Sequence, residues 1–555
     1  MRVLVVGGAG VFGRRLAEGL NATTNATIII AGRTPERLEQ AAESLGIAEA
    51  VMMDRAAASA EDIRSTGAHL VIDAAGPFQG ADLGFARAAI EAGAHYLDLA
   101  DARDFVAAFP SLDALARERG VAAITGASST PALTHAVLDR LRSGWRRLDS
   151  VRAGIAPGNK MERGASVMKA ILSWTGAPVR VFEQGAWRAR SGWSDCGVID
   201  LPELGRRRFA LADTPDLDLI PARYAPRDAA VFMAGLELPP MHRGMEAIGA
   251  LRRWGLVRNP ERWAEALRLA GDTLLDFGSD RGGMIVEALG RDADDRPVQA
   301  RWSMLAPNGL GPYTPTFAAL LLARRIVAGD APPPGARACV GLLWLEEFER
   351  EFARHGFTTH TELRPLKSPF EIALGERFEA ASATVRAAHR SGPVTRLRGV
   401  ATIQGATSPL AAFFARLFGM PAGASNIPVR VTKRLALDKE VWTREFGPRR
   451  MESRLRAPRP GVVHESFGPF DFDMNVDVDT GVLSMTIIGW RIGPIPLPTF
   501  LAPRSTATES VDAEGRFRFD VPIALPLIGR LTHYSGWLEP EEVEAAAALS
   551  ETEPA

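Results

Sequence analysis

Short apolar runs alternate with amphipathic stretches over the first 128 residues. The runs have the length of buried strands, and between them apolar positions recur at helical spacing. The predicted strands are residues 3–6, 27–31, 50–53, 70–73, 96–99 and 121–125, and the clearest predicted helices are 12–20, 35–45, 82–92 and 103–119. Because strand–helix–strand units need crossover connections, this order predicts a doubly wound α/β domain with a parallel sheet.

The pattern changes after residue 128. Residues 129–360 mix longer strands with helices, among them an amphipathic helical region at 245–277 and a helix at 345–355. This mixture predicts an inserted α+β domain that binds substrate or mediates dimerisation. A Pro-rich connector at 329–335 lies within it, and the main domain boundary is expected near 361–368.

Apolar and polar residues alternate strictly from Phe470 to Asp479, which is the period of a half-buried strand. Thr480 and Gly481 then form a turn, and apolar residues continue beyond them at the same period, as in a tight hairpin. Similar runs occur at 429–437 and 517–523. Residues 369–540 are therefore predicted to form a mainly antiparallel β domain.

Composition and charge exclude several classes of protein. The 555 residues are 46% apolar and 24% charged, as in an average globular protein. With Lys+Arg 65 against Asp+Glu 66, no global field attracts nucleic acid or anionic membranes, although a local basic patch stays open. Two cysteines provide no disulfide framework, which favours a reducing, cytoplasmic location. No apolar run is long enough for a transmembrane segment.

A glycine-rich GxGxxG motif follows the first predicted strand and opens the first helix. Such glycines permit a tight turn and let the backbone approach a pyrophosphate, while helix N-terminal amides face the phosphates. The motif therefore predicts dinucleotide binding. The predicted cofactor-binding residues of this turn are Gly7, Gly8, Ala9, Gly10, Val11, Phe12 and Gly13.

The end of the second predicted strand indicates which dinucleotide is bound. NAD enzymes place a carboxylate there, whereas this chain has Arg33 and Thr34, with Arg37 one helical turn later. A guanidinium matches a 2′-phosphate in charge and geometry, so NADP(H) is favoured over NAD(H). Asp54, after the third strand, is expected either near the adenine or as a loop acceptor.

Further candidates follow the later strands, at the carboxyl edge where ligands of such sheets bind. Small residues after the fourth strand are expected to let a nicotinamide ribose come close, and Ser128 and Ser129 after the sixth strand are expected to face the nicotinamide. Asp101 is interpreted mainly as a helix cap. The remaining cofactor candidates are Ala75, Gly76, Pro77 and Phe78, and the candidate proton donors are Tyr96, Asp98 and Lys160.

Five motifs in this order resemble the saccharopine dehydrogenase-like family. They are GGAGVFG at 7–13, AGR at 31–33, AAGPF at 74–78, YLDLAD at 96–101 and GASSTPAL at 126–133, with weaker matches at 154–163 and 278–284. The resemblance covers about residues 1–350 and implies a Rossmann domain, an inserted α+β domain, a homodimer and NAD(P)-linked oxidoreduction. Residues 369–540 resemble a bacterial domain of unknown function, which implies no chemistry.

The sequence leaves two functions open. The first is an NADP(H)-dependent oxidoreductase that transfers hydride to or from a C=N, C=O or activated C=C bond of a small or lipid-like substrate, between the Rossmann edge and the 129–345 region. The alternative is a non-catalytic NADPH-binding sensor or scaffold whose C-terminal β domain binds an apolar ligand or a partner. Neither nucleic acid nor a metal ion is expected as a ligand.

Overall fold

The structure is a computed structural model, which describes residues 1–541 apart from 163, 391, 393, 437, 438 and 494. The chain folds into two compact units. Residues 1–294 and 300–363 form the first unit, and residues 295–299 with the chain from Arg364 onward form the second. No helix in these described ranges is long and apolar enough to cross a bilayer.

The first sheet is the doubly wound α/β structure that the sequence predicts. All its neighbouring strands are parallel, in the order β15-β6-β5-β4-β1-β2-β3, where β15 is Gly335–Ala338. Its first six strands and their helices are β1 Arg2–Val6, α1 Val11–Thr23, β2 Thr27–Gly32, α2 Pro35–Leu45, β3 Glu49–Met52, α3 Ala60–Ser65, β4 Leu70–Asp73, α4 Gly84–Glu91, β5 His95–Asp98, α5 Arg103–Ala108, α6 Asp113–Glu118 and β6 Ala122–Thr125.

One predicted helix of this domain is wrong in its extent. The helix expected over 103–119 is divided into α5 and α6 by a tighter single turn at Phe109–Leu112. Pro110 explains the break, because its ring removes a backbone donor and clashes with the preceding helical turn. Helix α3 was not expected from the sequence; a Ser59–Asp62 capping box begins it.

The inserted region forms a mixed second sheet with the strand order β10-β11-β12-β7-β13-β14-β16, to which β8 and β9 add a hairpin beside β12. Its elements are α7 Thr134–Leu141, β7 Arg147–Ala156, α8 Ala165–Trp174, β8 Pro178–Glu183, β9 Ala186–Ser191, β10 Asp195–Leu201, β11 Gly205–Leu211, α9 Asp216–Tyr224, β12 Ala229–Ala234, α10 Pro239–Arg253, α11 Ala264–Asp272, β13 Gly282–Arg291, β14 Pro297–Ala306, α12 Thr314–Val327, β15 Gly335–Ala338, α13 Leu345–Arg354 and β16 Thr358–Pro365.

The chain returns to the first sheet before it leaves this unit. Strand β15 pairs in parallel with β6, so Gly335–Ala338 completes the first sheet as its seventh strand. The expected substrate region of 129–360 thus contains one strand of the dinucleotide domain. Two strands brought together from sequence positions more than 200 residues apart leave no local periodic signal.

The second unit is a closed antiparallel sheet, as the alternation at 470–479 indicates. Ten strands form the closed circuit because β22 pairs with β23 as well as with β21. Its elements are α14 Pro369–Leu374, α15 Ala383–His389, β17 Val394–Gln404, α16 Pro409–Leu417, β18 Ala424–Ala436, β19 Lys439–Phe446, β20 Arg449–Arg459, β21 Val462–Phe467, β22 Phe470–Asp479, β23 Val482–Ile492, β24 Ile495–Pro496, β25 Thr506–Val511, β26 Phe517–Leu525 and β27 Gly529–Pro540.

The predicted hairpin around Thr480 and Gly481 is confirmed. Asp479 pairs with Val482, and both turn residues have positive φ, of 48° and 85°, which is the geometry of a two-residue hairpin turn. The turn side of the closed sheet contacts α14 and α15, since the Gly461 amide donates to the Ala373 carbonyl and the Ser382 amide donates to the Gly481 carbonyl. Single helical turns elsewhere lie at Ser129–Leu133, Pro260–Trp263, Gly311–Tyr313, Gly375–Ala380 and Thr499–Leu501.

Candidate functional site

The glycine turn between β1 and α1 has no room for side chains. A Cβ atom on Gly13 would lie 2.2 Å from the carbonyl oxygen of Gly7, and one on Gly8 would lie 2.6 Å from the Cβ of Ile30. Gly7 has a φ of +81°, and its Cβ would lie 2.9 Å from the backbone of Ala74. These three positions therefore accept only glycine, which brings the turn against the end of β4.

Helix α1 offers free backbone donors at this turn. Gly10 is its N-terminal cap residue and, within the described chain, no side chain caps it. The first amides of the helix, at Val11, Phe12 and Gly13, are thus left without an intrahelical acceptor. Together with the helix dipole, they form a site suited to a phosphate group.

Arg33 lies at the end of β2 with its side chain exposed. Thr34 follows as the cap residue of α2, and Arg37 is exposed on the first turn of that helix. No carboxylate among the described residues forms an ion pair with Arg33. The guanidinium is therefore available to an anionic ligand. Asp54 has a local role at least, because its side chain accepts a 3.1 Å hydrogen bond from the Ala56 amide.

A buried carboxylate forms hydrogen bonds that stabilise the loop after β4. Asp73 is fully buried and accepts hydrogen bonds from the side chain of Arg55 and, at 3.0 Å, from the amide of Ala75. Arg55 also lies over the ring of Phe78. Within this loop Phe78 is buried in the core, whereas Gly76 and Pro77 are exposed.

Tyr96 and Asp98 of β5 lie beside this carboxylate in the interior. The Tyr96 hydroxyl donates to Asp73 over 3.3 Å, and its ring stacks on Phe109. Burial, with Asp73 nearby, raises the pKa of Tyr96 well above its ordinary value. Neither Tyr96 nor Asp98 is exposed to solvent.

Asp98 ties the ends of β5 and β6 together. One oxygen, Oδ1, accepts from the Gly126 amide at 2.7 Å, from the Thr125 hydroxyl at 2.9 Å and from the Ala100 amide at 3.0 Å. The other oxygen, Oδ2, is buried and has no hydrogen-bond partner among the described residues. Burial raises the pKa of Asp98 to about 7, because these hydrogen bonds offset only part of the loss of water around the charged form.

Asp101 does not cap the helix that follows it, contrary to the expectation. The cap residue of α5 is Ala102, and in the described chain no side chain caps the helix. Asp101 instead accepts a 3.1 Å hydrogen bond from the side-chain amide of Gln79. The helix begins at Arg103, as predicted, so its cap position is Ala102 and the Asp101 carboxylate lies one residue too early to cap it.

An apolar cavity of about 360 Å³ lies between the edge of the first sheet and the second sheet. Phe12 of α1 and Ser129 line it on the first side. Six methionines and the indole of Trp193 line it on the other sides. The methionines are Met161, Met168, Met241, Met245, Met284 and Met304.

The charge of the cavity wall is low. Among the described residues only one lining side chain, that of Glu162, is ionisable. This side chain is 57% exposed and forms a 2.9 Å ion pair with Arg15, so it is compensated and faces water. Flexible thioethers and apolar walls favour an apolar ligand of variable shape.

Two glycine-containing loops shape this cavity through Met161. A Cβ on Gly282 would lie 2.7 Å from the Met161 methyl group, and one on Gly311 would lie 2.5 Å from it. Glu237 joins the segment that carries Met161 to the segment before Gly282, because its side chain accepts 2.7 Å and 2.8 Å hydrogen bonds from the amides of Asn159 and Ser279. Sequence reasoning singled out neither Met161 nor Glu237, although Met161 lies within the weaker family match at 154–163.

The remaining predicted residues lie apart from the cavity wall. Lys160 is exposed, and its amide donates to the Ser279 carbonyl. Ser128 is buried, and its amide donates to the Gly126 carbonyl, while the neighbouring Ser129 lines the cavity. Arg163, at the end of the 154–163 match, lies outside the described residues. The structure thus brings the glycine turn, Phe12 and Ser129 together at one edge, without Tyr96, Asp98 or Lys160.

Two regions of the chain match known protein families. Residues 3–141 match a family model described as the saccharopine dehydrogenase NADP binding domain. The resemblance is confirmed for this domain. Residues 382–538 match a second family, described as a domain of unknown function (DUF4166). The first match identifies the N-terminal domain as an oxidoreductase domain that binds a nicotinamide cofactor. The second match assigns no chemistry.

Solved structures show only distant likeness. An apo saccharopine dehydrogenase (L-Glu forming) from Saccharomyces cerevisiae is 12% identical, with a TM-score of 0.47, covering 65% of this chain and 99% of its own. A probable dehydrogenase from Thermotoga maritima is 12% identical, with a TM-score of 0.33, covering 63% and 93%. GenD2 from gentamicin A biosynthesis, in complex with NAD, is 16% identical, with a TM-score of 0.28, covering 54% and 72%. No curated protein matches the chain.

Proposed function

We propose that the first unit is an NADP(H)-dependent oxidoreductase that acts on an apolar, lipid-like substrate. The observation that carries the proposal is the juxtaposition of the glycine turn with an apolar cavity, because Phe12 belongs to both. A carbonyl, imine or activated alkene at the mouth of this cavity is the reacting group. The substrate's hydrocarbon part lies among the methionines.

The residues of the turn fit the nucleotide. Gly7, Gly8 and Gly13 leave the close approach that a pyrophosphate needs, and the free amides at the start of α1 bind its oxygens. Arg33 binds a 2′-phosphate, and Thr34 lies beside it. When bound, the nicotinamide supplies the hydride, and the chain orients the nucleotide.

The substrate's chemistry follows from the cavity wall. A charged substrate held at this depth would need a buried counter-charge, since an unpaired ion in an apolar cavity is strongly destabilised. The wall offers one exposed and already paired carboxylate, Glu162. Its two hydroxyl-bearing residues, Ser129 and Thr314, suit a single uncharged polar group of the substrate.

Asp98 acts as a positioning residue in this proposal. It holds the Thr125–Gly126 segment and the Ala100 amide through three hydrogen bonds, and that segment leads directly to Ser129. Tyr96 and Asp73 support the loop after β4 from the same buried layer. Protonation of the product comes from a group at the cavity mouth, and Lys160 is the exposed candidate beside the loop that carries Met161.

Gly244→Leu tests the substrate assignment. Gly244 lies in α10 and lines the cavity, and a Cβ there would meet no atom within 4 Å. The Cβ of a leucine is thus accommodated at the cavity wall, and leucine also favours the helix. We expect KM for long-chain aldehydes with NADPH to rise by about tenfold or more, and the nucleotide Kd to stay unchanged.

The matched control is Arg243→Leu, the adjacent exposed position, which does not line the cavity. It should leave KM unchanged. Equal effects of the two variants, or turnover that is indifferent to the length of the aldehyde, would contradict the substrate assignment.

A second function, a nucleotide-binding sensor without catalysis, is favoured by one observation. The closed sheet of the second unit contains its own apolar cavity of about 150 Å³. This function predicts tight NADPH binding with no substrate-dependent oxidation in a screen of apolar carbonyl, imine and enoyl compounds. Measurable turnover of any of them decides for the oxidoreductase.

A further inference from the structure

Helix α16 of the closed sheet exposes an apolar face. Leu410, Phe413 and Leu417 are 55%, 62% and 64% exposed, and their spacing places them on one side of the helix. The opposite side packs on the sheet through Ala411 and Ala415. Large apolar side chains usually line the buried side of a surface helix, so an exposed apolar face indicates a binding surface.

Two neighbouring segments of the same unit extend this face. Ile495 and Phe500 are 62% and 74% exposed in the stretch after β23, and Leu527 is fully exposed in the turn between β26 and β27. The six side chains named so far as exposed, on α16 and on these segments, are here called the apolar face.

Contacts place the three segments at one end of the closed sheet. The hydroxyl of Ser408, which caps α16, donates to the Ile528 carbonyl. At the other end of the helix, Phe418 contacts Phe470 with ring centroids 4.8 Å apart. Phe470 in turn stacks on Trp490, whose indole donates to the Pro498 carbonyl. The apolar face is thus one surface, remote from the turns that contact α14 and α15.

The three chain segments that carry the apolar face are basic. Residues 404–432, 480–508 and 521–538 contain no Asp or Glu, although the whole chain has a net charge of −1. They contain five arginines. Arg416 and Arg504 are exposed, while Arg491 is paired with Asp473 and Arg430 with Glu541. The arginines of these segments are Arg416, Arg430, Arg491, Arg504 and Arg530.

The apolar cavity of the closed sheet reaches the same end. Phe418, Trp490 and Pro503 line it there, and Lys433 and Glu509 line it further inside. The surface therefore combines exposed apolar side chains, arginines and access to an apolar interior. A flat apolar contact with another protein would not need access to the cavity of the closed sheet. A lipid bilayer presents both anionic head groups, which match the arginines, and hydrocarbon chains, which match the apolar side chains and the cavity.

We propose that the apolar face docks on an anionic lipid bilayer. Phe413, Leu417 and Phe500 enter the boundary between head groups and acyl chains, and Arg416 and Arg504 bind lipid phosphates. A second copy of the chain is a poorer partner, because two such faces would bring arginines of the same sign together. This docking goes beyond the proposed oxidoreduction and does not depend on it.

Flotation of the full-length protein with lipid vesicles tests the proposal. The vesicles consist of phosphatidylcholine alone or of phosphatidylcholine mixed with phosphatidylglycerol. We expect binding to the mixed vesicles that weakens with added salt. The double variant Phe413→Ser/Leu417→Ser should lower the partition coefficient by about tenfold or more, and Arg416→Glu/Arg504→Glu should remove the preference for anionic lipid.

The control is Ile372→Ser, which removes an apolar side chain of similar exposure, 52%, from α14 near the opposite turns. It should bind like the unmodified chain. Absence of binding to either vesicle overturns the proposal, and so does equal binding of the double variant and the control. Self-association of the protein that the double variant abolishes would make the face a protein interface and would also overturn it.

Discussion

The two apolar cavities of this chain differ in their charge. The cavity of the first unit, beside the glycine turn, has one ionisable lining residue among those described, the exposed and paired Glu162. The cavity of the closed sheet is lined by the ionisable side chains of Lys433, Arg444, Glu465 and Glu509. In the proposed function the first cavity receives its chemistry from a bound nucleotide, whereas the second carries a charge network of its own.

The charges of the closed sheet are buried and interdependent. Glu509 accepts a hydrogen bond from His389, and Lys433 donates to the Ala388 carbonyl at 3.0 Å while lying over the Trp442 ring. Burial lowers the pKa of Lys433 to about 8, although the nearby Glu509 opposes the change. Burial alone would raise the pKa of Glu509, but His389 and Lys433 hold that pKa below its ordinary value. Such a network fixes the inner end of the cavity.

Glu509→Leu should have the largest effect on stability. It leaves Lys433 and His389 buried without their carboxylate, which typically costs about 3–5 kcal/mol of unfolding free energy. Urea unfolding of the full chain measures this loss in unfolding free energy. Glu514→Leu, which removes an exposed carboxylate from the turn after β25, should change the free energy by less than about 0.5 kcal/mol.

The double variant Glu509→Leu/Lys433→Met sharpens this comparison. Because both charges are then replaced by apolar groups, most of the loss should be recovered. A single variant as stable as the control would show that the inner charges of the closed sheet are independent of one another, and the contrast between the two cavities would fail.

Gly13→Ala should remove nucleotide binding while leaving the closed sheet intact. The added Cβ would lie 2.2 Å from the Gly7 carbonyl oxygen, so the turn must open. We expect NADPH affinity to fall by about 100-fold, since the pyrophosphate site depends on the tight turn. Gly244→Ala, where a Cβ meets no atom within 4 Å, is the matched control for nucleotide affinity. Unchanged NADPH affinity in Gly13→Ala would contradict the role of the turn.

Asp98→Asn should change the pH dependence of stability. The folded-state pKa of Asp98 is about 7, above that of an unfolded aspartate, so the folded state binds more protons between about pH 4 and 7. The stabilisation that protonated Asp98 contributes to the folded state is therefore present at low pH and is lost as pH rises through this window. A difference of one unit between the folded and unfolded pKa values corresponds to about 1.4 kcal/mol of unfolding free energy. The Asn variant should show a flatter fall in unfolding free energy over this window; an identical slope would contradict the raised pKa.

The two units also differ in how far the sequence predicts them. The parallel strands of the first sheet are local apolar runs, and every one from β1 to β6 lies within a residue or two of its predicted place. β15 is not predicted, because its sequence GARA contains no apolar run and it joins a strand distant in sequence. The pairing of β22 with β23 is predicted from the Thr480-Gly481 turn, but closure of the whole sheet depends on many long-range pairings.

The sequence predicts the residues of the nucleotide-binding turn, but it does not predict the residues that line the substrate cavity. Gly7, Gly13 and Arg33 lie in a contiguous region of the chain whose spacing carries the chemistry. The cavity wall is assembled from methionines scattered between Met161 and Met304, which share no period. Tyr96 has the chemistry of a proton donor, but strand alternation places it in the buried layer against Phe109.

Titration of the purified protein with NADPH and with NADH, followed by nucleotide fluorescence, tests the central claim most directly. Arg33→Asp and, as control, Arg87→Asp on the exposed face of α4 are titrated in parallel. The account predicts tighter binding of NADPH than of NADH, with NADPH affinity about tenfold or more lower in Arg33→Asp alone. Failure of both nucleotides to bind, or equal NADPH affinity in the two variants, would contradict it.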